Sequence, residues 1–150
     1  MNVSREAVAA ALFTQLAGTK IGGVSPFNTT GRRARIWSDL SPGDQPAMFL
    51  IHTGEQAVQN QAPGLTKWML HFEVLIYARV DPSPSSTPDT FINAILDALD
   101  AQMQTTPPGE RQTLGGVIYN AWIEVQIFID TGILDQQIAI LVPIRVMTGI

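Results

Sequence analysis

From Leu65 to Val80 the sequence alternates without a break. Trp68, Leu70, Phe72, Val74, Ile76, Ala78 and Val80 fall in one set, and Lys67, Met69, His71, Glu73, Leu75, Tyr77 and Arg79 in the other. A period of two sends successive side chains to opposite faces of a strand. The segment therefore predicts one long β-strand with a wholly apolar face and a mixed face. An apolar face of that length needs a cover, and the rest of the chain has to supply it.

Two helices are predicted to do so. In the first, Ser4 is a candidate N-cap, Glu6 is an acid at the positive helix end, and Val8, Leu12, Phe13 and Leu16 recur at helical spacing before Gly18 stops the run. In the second, Thr87-Pro88-Asp89 supplies a cap, a first-turn proline and an acid, and Phe91, Ile92, Ile95, Leu96, Leu99 and Met103 form the stripe. "TTPPGE" ends it. "GTKIGGVSPFNTTG" is too broken by Gly and Pro for a long element. "RARIW" reads as a short strand, "SDLSPGDQ" as a loop turning at Pro42-Gly43, and "PAMFLIHTGEQ" as a strand that begins after Pro46. Two long strands, Val117 to Ile129 and Gln137 to Met147, close the chain as a β-hairpin about the glycine of "DTGILDQ". The expected fold is a single α+β domain over residues 1–150: a mainly antiparallel sheet with two principal helices on one face. The other face carries Leu75 and Tyr77 beside charged groups, which suits subunit packing.

Composition narrows the function classes. Charged residues are 15% of the chain, against about 25% in ordinary soluble domains. So few charges point to surface hidden in an assembly, with a lone compact domain as the alternative. With no cysteine, neither a disulfide framework nor a thiolate metal site is available. No stretch approaches the roughly 18 apolar residues of a spanning helix, and "MNVSREAVAAALFTQLAG" lacks the pattern of a secretory signal, so a cytosol-like compartment and no membrane are expected. A net charge of −4 and a pI near 4.9 argue against broad nucleic-acid binding.

No constellation of residues calls for catalysis. His52 and His71 lie far apart in sequence with no metal-ligand spacing. Asp97/Asp100 read as a solvated helix face and Asp130/Asp135 as the flanks of a turn, rather than as acid–base pairs. "GTKIGG" has the wrong order for a phosphate loop and reads as a helix cap, and "NTT" matches a glycosylation sequon that means nothing without secretion. Trp37, Trp68 and Trp122 sit in strand-like surroundings, where packing is the ordinary role. Only Trp37 has the basic neighbours a base-stacking platform would need. The chain is expected not to be an enzyme and to use no cofactor and no metal.

Several segments, taken in order, resemble the tail terminator (tail completion) proteins of long-tailed bacteriophages. "ARIWSDLSPGDQPAMFLIHTGEQ" is similar to that family's strand, acidic Pro-Gly turn and returning strand, and "WMLHFEVLIYA" to its long central strand. "NAILDALDA" and "QTLGGVIYNAWIEVQIFIDTGILDQQIAILVPIRV" resemble its ending. The resemblance implies a structural virion protein, assembled in the host cytoplasm and placed at the head-proximal end of the tail. There a homo-oligomer, a hexameric ring, would end polymerisation of the tail tube protein and offer the surface that meets the head-tail connector or neck protein. DNA would pass through without specific binding. The alternatives are a head-completion or neck adaptor protein, a small nucleic-acid-binding module, and a small enzyme or ligand-binding domain.

"GRRAR" is the one crowding of positive charge. Arg32, Arg33 and Arg35, with Trp37, Asp39 and Asp44 after them, form the candidate subunit or partner interface. Arginine pairs bidentately with carboxylates across interfaces, and that is the favoured reading. A solvated edge and contact with DNA phosphates are the other two.

Overall fold

A computed structural model describes residues 3–58, 66–105, 107–124, 126–132 and 136–148. The described elements are α1 (Arg5–Ala17), β1 (Thr29–Gly31), β2 (Ala47–Val58), β3 (Lys67–Arg79), α2 (Pro88–Met103), β4 (Asn120–Ile123), β5 (Phe128–Asp130) and β6 (Gln137–Met147). Single 3-10 turns at Trp37–Asp39 and Pro42–Asp44 lie between β1 and β2. Leu65, the first residue of the expected long strand, lies outside the described residues, as do Thr106, Val125 and residues 133–135 of the last turn.

The strands form one sheet in the order β1-β2-β3-β6-β4, and β5 also pairs with β6. All pairings are antiparallel except β1 with β2. This is the expected α+β fold, and β3 holds its centre. Leu70, Phe72, Val74, Ile76 and Ala78 are buried on one face, in a single cluster with Ile138, Ile140, Val142, Ile144 and Val146 of β6. Val8, Leu12 and Leu16 of α1 and Ile92, Ile95, Leu99 and Met103 of α2 complete that cluster. Both helices therefore cover the same face of the sheet.

Local chemistry fixes the helix positions. Ser4 Oγ accepts a hydrogen bond from the Ala7 amide at 3.3 Å, as an N-cap should. Gln15 Nε2 donates to the Gln102 carbonyl and Gln102 Nε2 to the Gln15 carbonyl, each at 2.6 Å. This reciprocal clasp ties α1 to α2. In β2 one extra residue, Thr53, separates His52, opposite Phe72, from Gly54, opposite His71. Such a bulge bends the strand without reversing the faces of the residues before it.

Two sequence expectations need correction. "RARIW" is not a strand: residues 32–36 are irregular, Trp37 starts a 3-10 turn, and the ladder beside β2 is made earlier by Thr29–Gly31. Leu40, buried beneath this segment with Ala47 and Phe49, folds it over the second face of the sheet. Nor is Val117–Ile129 continuous. It divides into β4 and β5, both paired with β6. Pro143 supplies the reason. Its carbonyl accepts from the Glu124 amide at 2.9 Å, so its backbone faces this outer strand. In an antiparallel ladder a residue's N–H and C=O point to the same neighbour. The proline has no N–H to give there, and the outer strand breaks opposite it.

Candidate functional site

The arginine cluster separates into three different environments. Arg32 reaches back to α1 and grips Glu6 with both nitrogens, Nη1 to Oε1 at 2.7 Å and Nη2 to Oε2 at 2.8 Å. That hydrogen-bonded fork, with the guanidinium charge, holds the Glu6 carboxyl below the usual carboxylate range. Arg35 Nη2 donates to the Asp39 carbonyl at 2.9 Å and braces its own turn. Arg33 is exposed and has no ion-pair partner among the described residues. Asp44 is also occupied within the chain: its Oδ2 accepts from the Ser41 amide and hydroxyl at 3.3 and 2.9 Å, a capping box on the Pro42–Asp44 turn.

What the segment exposes is apolar as well as basic. Ile36 is 64% and Trp37 37% exposed, beside the outward Arg33. Below them Leu40 is anchored in a small second core with Ala47 and Phe49, against which Leu75 and Tyr77 pack. Phe49 and Tyr77 meet edge to face at 6.3 Å between ring centroids. The exposed pair therefore stands on a fixed base that follows β1, the strand at one end of the sheet order.

The opposite end carries a second apolar group. Phe128 is 53% and Ile129 46% exposed on β5, and Val117 and Tyr119 are exposed just before β4. Arg111 lies 4.2 Å above the Tyr119 ring. None of these was singled out from the sequence, because an uninterrupted strand would have paired and covered more of them. Pro143 on the neighbouring strand is the one signal that could have exposed them.

The remaining candidates are dispersed. His52 stacks on Phe72 at 4.7 Å on the helix-covered side, near Glu55, which is itself held by Arg5 Nε at 2.8 Å to each oxygen. His71 projects from the other face near Arg145, whose Nε lies 3.0 Å from Glu124 Oε2. Burial, then the Arg145 charge, pushes the His71 imidazole below its usual value. The two histidines do not share a site, and no metal-ligand cluster occurs among the described residues. Asp100 accepts from Gln104 Nε2 at 3.0 Å on the outer face of α2. Of the other carboxylate pair, Asp135 lies outside the described residues. "GTKIGG" is the cap of α1 followed by a tight turn closed between Ile21 and Val24, with Gly22 and Gly23 at positive φ. Trp68 lies 5.4 Å beneath the Arg5 guanidinium and is partly buried against the core.

No protein-family model matches this chain, and no curated protein matches it either.

Proposed function

We propose that this protein is a ring-forming structural subunit of a phage virion, seated at the head-proximal end of the tail tube. The observation that carries the assembly is the pair of unlike apolar ends on one sheet. Ile36 and Trp37 follow β1 at one end, and Phe128 and Ile129 lie on β5 at the other. Unlike patches on opposite ends of a subunit join head to tail, and a head-to-tail contact closes into a ring when the rotation between neighbours permits it. The low charge content fits a surface shared among copies. An acidic chain suits a passage through which DNA slides without being held.

The place in the virion rests on the sequence resemblance to tail terminators. In this reading the ring covers the growing end of the tube and then receives the neck. Arg33, exposed and without an acid partner among the described residues, would meet a carboxylate of a neighbour or partner. Arg32 has its acid in Glu6, so its role is to hold the segment against α1.

The test is to add the purified protein to polymerising tail tube subunits from the same phage. Tubes should shorten as the protein is added, and electron microscopy should place it at one end only. Tubes of unchanged length, with the protein absent from their ends, would overturn the proposal. Binding to the isolated connector instead of the tube would transfer the protein to the neck.

A further inference from the structure

The helices cover one face of the sheet, and the other face has rows of its own. Residues directly opposite each other in a ladder share a face. Phe128 stands opposite Leu141, Leu141 opposite Leu75 and Leu75 opposite Phe49, so one apolar row crosses from β5 to β2. Leu40 packs on the Phe49 end of that row. Leu75 and Leu141 are half-buried, and Phe128 is 53% exposed.

The next row is centred on Glu73, with Ile51 opposite it on β2 and Pro143 on β6. Glu73 is half-buried between these two apolar neighbours and has no ion-pair partner among the described residues. Arg145, the cation of the row beyond, is held by Glu124 at 3.0 Å. A cover over this row takes water from a carboxylate, which is unfavourable unless the cover brings a cation. Arg33 is the matching group: it is exposed, lacks an acid partner among the described residues, and stands four positions before the exposed Trp37. Arg32 is already forked onto Glu6, and Arg35 is tied to the Asp39 carbonyl. The spacings also agree. Phe128 and Glu73 are two strand spacings apart across the sheet and two residues apart along it, or about 12 Å. Four residues of chain reach about 14 Å at most.

We propose that this helix-free face is where a second copy of the chain docks, its Arg33 forked onto Glu73 and its Trp37 laid on Phe128 and Leu141. The inference rests on the ring reading above and names the surface that receives the β1 end of the neighbour. Arginine suits the place, because its planar fork meets both oxygens of a carboxylate and sheds water more readily than an ammonium. The charge pair fixes the register of the contact, and the aromatic rings supply the apolar area.

The test reverses the two charges and follows assembly by sedimentation over a range of concentrations. Arg33→Glu and Glu73→Lys each set like charges against each other, and each should raise the concentration needed for rings at least about tenfold. The double variant exchanges the two charges and should return to within about threefold of the wild type. Asp97→Lys makes the same change in net charge as Glu73→Lys, but on the exposed side of α2, and should assemble as the wild type does. If Glu73→Lys does not fold, Glu73→Gln keeps the shape and removes the charge. It should weaken assembly about tenfold, and Arg33→Gln added to it should weaken assembly no further. Three results would each overturn this surface and leave the ring standing: single reversals that assemble normally, a double variant no better than either single one, or an equal loss from Asp97→Lys. A further loss from Arg33→Gln in the Glu73→Gln background would do the same. A wild type that stays monomeric at every concentration would overturn the ring reading and this surface together.

Discussion

The face of the sheet beneath the helices and the two ends of the sheet use the same kinds of residue in opposite ways. Phe72, Val74 and Ile76 lie in the dense cluster under α1 and α2, and Phe72 is 1% exposed. Phe128, Ile129, Ile36 and Trp37 are as apolar and stand in water. Burial of the first group drives folding, because each side chain leaves water when the chain folds. The second group gains little on folding and would gain on association. In the proposed assembly the same side-chain chemistry would serve two purposes, and the order of the strands would decide which.

The largest expected effect lies on the buried side of this comparison. Phe72→Ala should cost about 3–5 kcal/mol, the range for deleting a buried aromatic. Phe128→Ala should stay within about 0.5 kcal/mol, as exposed positions do. Chemical denaturation of the two variants measures both, and equal losses would erase the distinction. A smaller effect is expected at the clasp between the helices. Gln15→Ala removes one hydrogen bond and leaves the Gln102 carbonyl without its side-chain donor, so about 1–2 kcal/mol should be lost. The double change with Gln102→Ala should cost less than the sum of the single ones.

Smaller again is the pH dependence carried by His71, whose imidazole titrates lower in the folded chain than its ordinary 6.5. Below 6.5 the unfolded chain takes up that proton first, so protonation favours unfolding. Its contribution is complete above that value and declines as the pH falls toward the folded-state value. His71→Gln should flatten this part of the stability profile, and an unchanged profile would place the histidine outside the influence of burial and Arg145. Least of all should follow from breaking Arg32–Glu6, an exposed pair. Arg32→Gln should leave the melting temperature almost unchanged. Limited proteolysis should instead show faster cleavage within residues 31–36, since the variant frees the segment from α1.

The sequence made one half of this comparison legible and concealed the other. The alternation from Trp68 to Arg79, the cap at Ser4, the stripe from Ile92 to Met103 and the bounds of β6 are local patterns, and the structure has each of them. The break between β4 and β5 is not local. Its cause, Pro143, lies in the partner strand, and only the pairing brings it opposite residue 124. "RARIW" misled in the same way, because its alternation suits a strand but Leu40 holds the following turn over Phe49 and Ala47 instead. For the proposed site, the sequence pointed to Trp37 and the arginines. It could not show that Arg32 reaches an acid 26 residues earlier in its own chain, nor that Phe128 and Ile129 are left uncovered.

Head-to-tail assembly through the two ends of the sheet is the central claim, and native mass spectrometry of two crippled variants tests it most directly. Trp37→Asp spoils the end that follows β1, and Phe128→Asp spoils the β5 end. The wild type should form rings, and each variant alone should remain monomeric at the same concentrations. Mixed in equal amounts they should give a heterodimer of one copy of each and nothing larger, because only one intact pair of unlike ends remains. A wild type that stays monomeric throughout, or either variant forming symmetric dimers by itself, would contradict the account.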